Sequence, residues 1–206
     1  MLHQFAFLTQ PTEDHVLRSM FEARKRVFID LLKWDVPVLE GRYELDQFDD
    51  EHAEYLVIQT AEGRHAASAR LLETTRPHIL GNLFPELCQT ELPQGPRVRE
   101  ITRFCLDPEL TTLERREFRN VLVSGLVEHA LAKGIETYTG VADMGWMQQI
   151  LAFGWHCHPL GLPQVLGGRM LGALSIAIDH ETPALLAQSG IYRPVAAAAA
   201  RTLELA

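Results

Sequence analysis

Val98-Arg99-Glu100-Ile101-Thr102-Arg103-Phe104-Cys105-Leu106, followed at once by Asp107-Pro108, is the stretch on which the fold turns. Its β-branched and aromatic residues, ended by an Asp-Pro pair, predict a strand. Downstream, Thr111 or Thr112 offers a capping hydroxyl to a long helix that stops at Lys133-Gly134, a basic last turn with a glycine exit. Ile135 to Val141 is β-like, Asp143 to Phe153 helical, Trp155 to Leu162 irregular or β, Met170 to Ile178 a strand, and Pro183 to Gln188 a short helix. Upstream, Thr74 to Pro96 carries four of the eleven prolines and reads as a long connection. Tyr55 to Thr60 and Ala66 to Leu72, joined through Glu62-Gly63, predict a hairpin. Glu40 to Glu54 reads as an acidic, irregular loop. Before it, Thr12 with Glu13 and Asp14 opens a helix whose stripe runs Leu17, Phe21, Phe28, Leu31 and gives out near Trp34-Asp35-Val36-Pro37. Leu2 to Leu8 is the first strand, and the alanine-rich tail from about residue 195 is helical or frayed. A hairpin followed by strand–helix alternation places the chain in the α/β (α+β) class, as one domain over residues 1–206 with a mixed, mostly antiparallel sheet and helices on both faces.

Composition narrows the function. The 206 residues are 47 % hydrophobic and 22 % charged, enough for a substantial core and unlike a disordered chain. No run approaches the roughly 18 uncharged apolar residues of a membrane span, and Met1-Leu2-His3-Gln4-Phe5 lacks the pattern of a secretory signal. Three cysteines, Cys88, Cys105 and Cys157, show no paired spacing, which argues for a reducing, cytoplasmic setting. The net charge is −8, but residues 35–54 hold eight acids against Arg42 alone, so the acidity is local. A basic nucleic-acid surface is not indicated.

Three features carry candidate chemistry. Arg24 falls inside an apolar helical stripe, where a guanidinium must either snorkel outward or be paired, since it cannot be neutralised. Glu44-Leu45-Asp46-Gln47-Phe48-Asp49 sets acids beside Trp34, Tyr43 and Phe48; it is either a solvated acidic loop or a site for an onium ligand. Its spacing does not fit a calcium loop. The strand 98–106 carries Arg99, Glu100 and Arg103, either as structural ion pairs or as a general base with a carboxylate clamp. His156-Cys157-His158 lacks the second pair that zinc requires, and Cys105 lacks a basic partner that would activate it.

As a set these residues resemble the acyl-homoserine-lactone synthase (autoinducer synthase) family of quorum-sensing bacteria. The matching positions are Arg24, Phe28, Trp34, Asp46 and Asp49, then Arg70 in Ala69-Arg70-Leu71-Leu72. Thr75-Arg76-Pro77-His78-Ile79-Leu80, Phe84-Pro85, Glu100 and Arg103-Phe104 complete it. The resemblance implies a GNAT-type acyltransferase fold with a V-shaped splay between central strands. It implies transfer of an acyl group from a carrier-protein or coenzyme A thioester to the amine of S-adenosyl-L-methionine. Lactonisation then expels methylthioadenosine. Glu100, Arg103, Asp46, Asp49 and Arg70 are the expected catalytic residues, with Glu100 as base through a water. Arg24, Phe28, Trp34, Asp46, Arg103 and Phe104 are expected to bind S-adenosylmethionine, with Arg24 and Arg103 on its carboxylate. Both molecules are substrates, so no cofactor and no metal is expected, and the partners are these two substrates and the acyl carrier protein.

The fold so implied suggests further sites. Arg115, Arg116 and Arg119 are candidates for the phosphate of the pantetheine arm or for an acidic carrier protein. Met144, Trp146 and Met147 are candidates for the acyl pocket. Simple alternation sets Glu100 and Arg103 on opposite strand faces, so a shared role requires a β-bulge or a strand end between them. Residues 31–54 are expected to order only over substrate. Two other readings remain: a GNAT-type N-acyltransferase acting on another amine, and an inactive ligand-binding relative.

Overall fold

The computed structural model describes residues 1–5 and 15–194. The expected Thr12 cap, the part of the first strand beyond Phe5 and the alanine-rich tail lie outside the described residues. In chain order the elements are β1 (Leu2–Phe5), α1 (His15–Arg24), a π-helical segment (Lys25–Leu31), β2 (Val38–Leu39), β3 (Tyr43–Glu44), β4 (Glu54–Gln59) and β5 (His65–Glu73). There follow α2 (Ile79–Leu83), a 3-10 turn (Pro85–Leu87), β6 (Val98–Leu106), α3 (Thr112–Lys133), β7 (Thr137–Asp143) and α4 (Met144–Leu151). The chain ends with β8 (His156–Pro159), β9 (Gln164–Leu166), β10 (Arg169–Ala177) and α5 (Thr182–Gln188). The chain divides into two compact units, one of Met1–Arg70, Arg103–Gly125 and Arg193–Ala206, the other of Leu71–Thr102 and Leu126–Tyr192.

In the first unit β1 lies antiparallel to β4, with Leu2 opposite Ile58 and Phe5 opposite Tyr55. Tyr55 through Gln59 are all buried, the pattern of a strand covered on both faces. The β4–β5 turn passes through Gly63 at φ +78°, a left-handed conformation that glycine adopts without penalty. Phe21 on α1 meets Tyr55 edge-on with ring centroids 6.0 Å apart, which fixes the helix on the strand. The acidic segment is more ordered than its composition suggests. Val38–Leu39 and Tyr43–Glu44 form a small hairpin, and Tyr43 and Glu44 are buried. Helix α3 starts in a capping box: Thr111 N–H donates to Glu114 Oε2 at 2.8 Å and Glu114 N–H to Thr111 Oγ1 at 3.3 Å.

In the second unit β6 and β7 run parallel, in register from Val98 opposite Thr137 to Glu100 opposite Thr139. The ladder covers three pairs, while β6 continues to Leu106 and β7 to Asp143. β10 pairs antiparallel with β7 along one edge and with both β8 and β9 along the other. Register partners share a sheet face, so Glu100, Thr139 and Ser175 form one row, and Val141 and Ala173 continue it. On that face Leu80, Leu87, Leu160 and Ala173 form a buried apolar cluster, against which Phe84, Val141 and Leu171 pack. Gly172 faces the other way, and a Cβ there would stand 2.4 Å from Met147 Sδ, so α4 covers the opposite face. The second unit thus carries helices on both faces of a mostly antiparallel sheet.

Candidate active site

The π-helical segment is the first local device. A helix closed by i→i−5 bonds, such as Leu32 N–H to Val27 C=O at 2.9 Å, turns each later side chain away from α-helical phase. Phe28 and Trp34 consequently stack, with centroids 4.6 Å apart and planes 29° from parallel. The second device is the turn after β3. Phe48 N–H donates to Asp46 Oδ1, and Asp46 N–H to Asp49 Oδ2, each at 2.8 Å. These bonds fold the two carboxylates inward, as Asx turns do. The acidic loop is therefore not a solvated face: Glu44 and Asp49 have fully buried side chains and Asp46 is 6 % exposed.

Three arginines meet these three acids. Arg24 donates through Nε to Glu44 Oε2 (2.5 Å) and grips Asp49 with both terminal nitrogens (2.8 Å each). Arg70 forks onto Asp46 at 2.7 and 3.1 Å and also reaches Asp49 at 2.8 Å. Arg103 donates through Nη2 to Asp46 Oδ2 (2.6 Å) and Glu44 Oε1 (2.9 Å), and through Nε to Glu44 (3.1 and 3.2 Å). Tyr55 closes the group by donating its hydroxyl to Asp49 Oδ1 at 2.8 Å. Three positive and three negative charges cancel, which is the condition under which such burial is tolerated. Burial opposes the charges of Arg24, Asp46, Asp49 and Arg70. The neighbours outweigh it: Arg24 and Arg70 hold Asp49 far below the usual carboxylate range, and Asp49 and Glu44 hold Arg24 well above its ordinary value. Asp46 is likewise held low, chiefly by Arg70. Burial, reinforced by Asp49, raises the Tyr55 phenol.

Of the residues expected here, Arg24, Phe28, Trp34, Asp46, Asp49, Arg70 and Arg103 are brought together. Arg103 lies over the faces of both Phe28 (5.6 Å) and Trp34 (5.7 Å). Glu44 and Tyr55 were not singled out. Glu44 stands in the acidic stretch two residues before Asp46, and its charge is the one local signal it offers. Arg24 differs from its expected place on a substrate carboxylate, because its Nε and both terminal nitrogens are already bound to Glu44 and Asp49.

On β6 the alternation slips. Glu100 and Thr102 are buried, the next buried residue is Cys105, and between them Arg103 adopts φ +50°. A non-glycine residue in the left-handed region inside a strand is a bulge, and it moves Arg103 out of simple opposition to Glu100. Glu100 itself is fully buried and accepts from two backbone amides, Ile79 N–H (2.8 Å) and Leu80 N–H (2.9 Å). The Cys105 thiol is pushed up to about 12 by burial, which suits core packing and not nucleophilic attack.

The remaining candidates are placed elsewhere. Arg115 donates to the Asp107 carbonyl (3.1 Å), Arg119 bonds Asn120, and Arg116 lines a shallow hollow with Leu113, Glu114, Glu117 and Arg193. That hollow has both signs of charge. Trp146 meets Phe153 edge-on at 5.9 Å, and Met147 is buried on the Gly172 face. Residues 144–147 are thus helical, beyond the end of β7.

Comparison with known proteins gives one consistent result. A profile of the autoinducer synthase family matches residues 9–185. An acyl-homoserine-lactone synthase of Rhizobium etli is 36 % identical over 173 residues, covering 82 % of this chain and 81 % of its own. One from Ralstonia nicotianae is 30 % identical over 172 residues, covering 81 % and 84 %. Among solved structures, BjaI, a CoA-dependent acyl-homoserine lactone synthase with SAM and isopentyl-CoA, aligns with a TM-score of 0.79 at 25 % identity, covering 98 % of both chains. A putative N-acetyltransferase from Lactobacillus plantarum, at 13 % identity and a TM-score of 0.57 with 87 % and 98 % covered, shares the fold.

Proposed function

We infer that this chain, which belongs to the autoinducer synthase family, is an acyl-homoserine-lactone synthase. It moves an acyl group from a thioester to the amine of S-adenosyl-L-methionine, and the methionine carboxylate then displaces methylthioadenosine from the γ-carbon to close the lactone. The observation that carries this reading is the neutral arginine–carboxylate cluster beneath the Phe28–Trp34 stack. A ligand with both charges and an aromatic or sulfonium part suits such a site.

The division of labour follows from which bonds are already used. Arg24 and Arg70 hold the acids in place. Among the described residues Arg103 engages the acids through Nε and Nη2, and its Nη1 takes the substrate carboxylate. Asp46, the most exposed of the three acids, faces the ammonium, and the Phe28–Trp34 pair takes the sulfonium or adenine. Glu100, whose two amide donors suit a charged carboxylate, accepts the proton that the amine loses before attack. Backbone N–H groups beside Phe104, re-aimed by the bulge at Arg103, stabilise the tetrahedral oxyanion.

For the donor, the acyl chain ends at Met144, Trp146 and Met147. Arg115, Arg116 and Arg119 meet the phosphate of the pantetheine arm or an acidic carrier protein. A thioester and a sulfonium are already activated, so the reaction calls for no further cofactor. No described helix is long and apolar enough to cross a membrane, and a cytoplasmic, one-domain enzyme over residues 1–206 fits substrates made inside the cell.

Incubation with S-adenosylmethionine and a panel of acyl-CoA and acyl-carrier-protein donors tests the reading. Release of methylthioadenosine together with an N-acyl-homoserine lactone is expected. Thiol release without methylthioadenosine would mark an N-acyltransferase for another amine, and neither product a binding protein.

A further inference from the structure

We propose that His78 is a positioning residue for the reaction, its Nδ1–H bond to the Arg76 carbonyl setting the two amides that hold Glu100. The proposal rests on the reading of Glu100 as the group that takes the amine's proton. The helix N-cap position of α2 is occupied by His78, whose side chain makes no capping bond to that helix. Its Nδ1 instead lies 2.8 Å from Arg76 O. A carbonyl only accepts, so Nδ1 carries the proton. His78 N–H donates to Asn82 Oδ1 at 2.8 Å, and Asn82 N–H returns a bond to His78 C=O at 3.0 Å. The first two amides of α2, which an N-cap side chain normally serves in part, are turned to Glu100 on β6. The bond from Asn82 N–H to the His78 carbonyl fixes the plane of the peptide whose N–H, that of Ile79, reaches Glu100 Oε2, and the Nδ1–H bond to Arg76 O ties down the residue that begins that peptide.

The ring is held by packing as well. His78 is 1 % exposed, and its Nε2 has no hydrogen-bond partner among the described residues. A Cβ at Gly81 would lie 2.6 Å from His78 Cε1 and 2.7 Å from Nε2, so the outer edge of the ring rests on the bare glycine backbone. Nδ1 is thus the working atom, and the Cε1–Nε2 edge is pinned by Gly81. A buried imidazole with one orphaned nitrogen costs stability, and that cost is retained here for the orientation its other nitrogen gives.

The two edges of the ring can be separated by substitution. His78→Asn keeps a side-chain N–H at the Nδ1 position, whereas His78→Gln carries its N–H one carbon further out, and Gly81→Ala pushes against the ring edge. Lactone synthesis at saturating donor should keep a kcat near that of the parent in His78→Asn and fall about tenfold or more in His78→Gln and in Gly81→Ala. The KM for S-adenosylmethionine should stay the same throughout. In the double variant Gly81→Ala/His78→Asn the clash is gone, so kcat should recover to the His78→Asn level. The amide proton shifts of Ile79 and Leu80 should follow the same order. Equal kcat in His78→Asn and His78→Gln, or no recovery in the double variant, overturns the proposal. Glu100→Gln retaining the parent kcat overturns instead the role of Glu100, and the amide shifts then still report whether His78 sets those two N–H groups.

Discussion

Arg24 touches Glu44 and Asp49 with almost no surface left for solvent, so its removal strands two buried carboxylates. Arg24→Ala is expected to cost about 3–5 kcal/mol, the range found when one partner of a buried ion pair is deleted, read as a lowered urea midpoint. Trp34 occupies the other extreme, half-buried and stacked on Phe28 beneath Arg103. Trp34→Ala should raise the KM for S-adenosylmethionine by about tenfold, in keeping with roughly 1–2 kcal/mol of aromatic and cation–π contact, with the melting temperature nearly unchanged.

At the scale of elements, the segment between the π-helical turn and β4 has two parts. Residues 44–49 are anchored by the ion cluster, while Leu31, Leu32, Val38 and Leu39 expose 60, 43, 38 and 45 % of their surface. The expectation that all of 31–54 orders over substrate is therefore narrowed. Hydrogen exchange should slow on adding S-adenosylmethionine in residues 31–42, with residues 44–49 slow beforehand. Helix α4 offers a second test. If Trp146 ends the acyl channel, Trp146→Ala should raise the ratio of long to short acyl donors used while leaving the KM for S-adenosylmethionine alone. A uniform loss over all donors with a lowered melting temperature would reduce Trp146 to the edge-on partner of Phe153.

For the whole molecule, stability depends on pH through groups that folding perturbs. Burial depresses the His65 imidazole to about 4, below the ordinary value near 6.5. Between those values the unfolded chain binds more protons, so stability is full above about pH 6.5 and falls as pH drops toward 4, by about 3 kcal/mol in all. Urea midpoints of His65→Gln should be flatter than those of the parent across that window. Asp46 and Asp49 are also held low, so their contribution persists above about pH 4 and is lost only below it.

Local periodicity and end signals were enough to determine β6, the hairpin of β4 and β5, and the length of α3, because strand alternation, capping residues and glycine exits act within a few residues. The charged positions were also legible, since Arg24 on an apolar stripe and three ionisable residues in one strand are local contradictions. A β-bulge or a strand end was the condition for Glu100 and Arg103 to share a site, and Arg103 lies at φ +50° within the strand. The partnership was not legible. Arg24 pairs with acids 20 and 25 residues away, and Arg103 with Glu44 across 59; no periodicity links such distances. Charge neutrality within the cluster is what turns a stretch that reads as a solvated acidic loop into a buried one, and it recruits Glu44. The π-helical segment was likewise invisible, because its residues suit an α-helix and only the stacking of Trp34 on Phe28 favours the wider turn. The sequence alone thus determined which residues carry the charge, and the tertiary structure decided which of those charges meet, because only folding brings Arg24, Arg70 and Arg103 within hydrogen-bond reach of Glu44, Asp46 and Asp49.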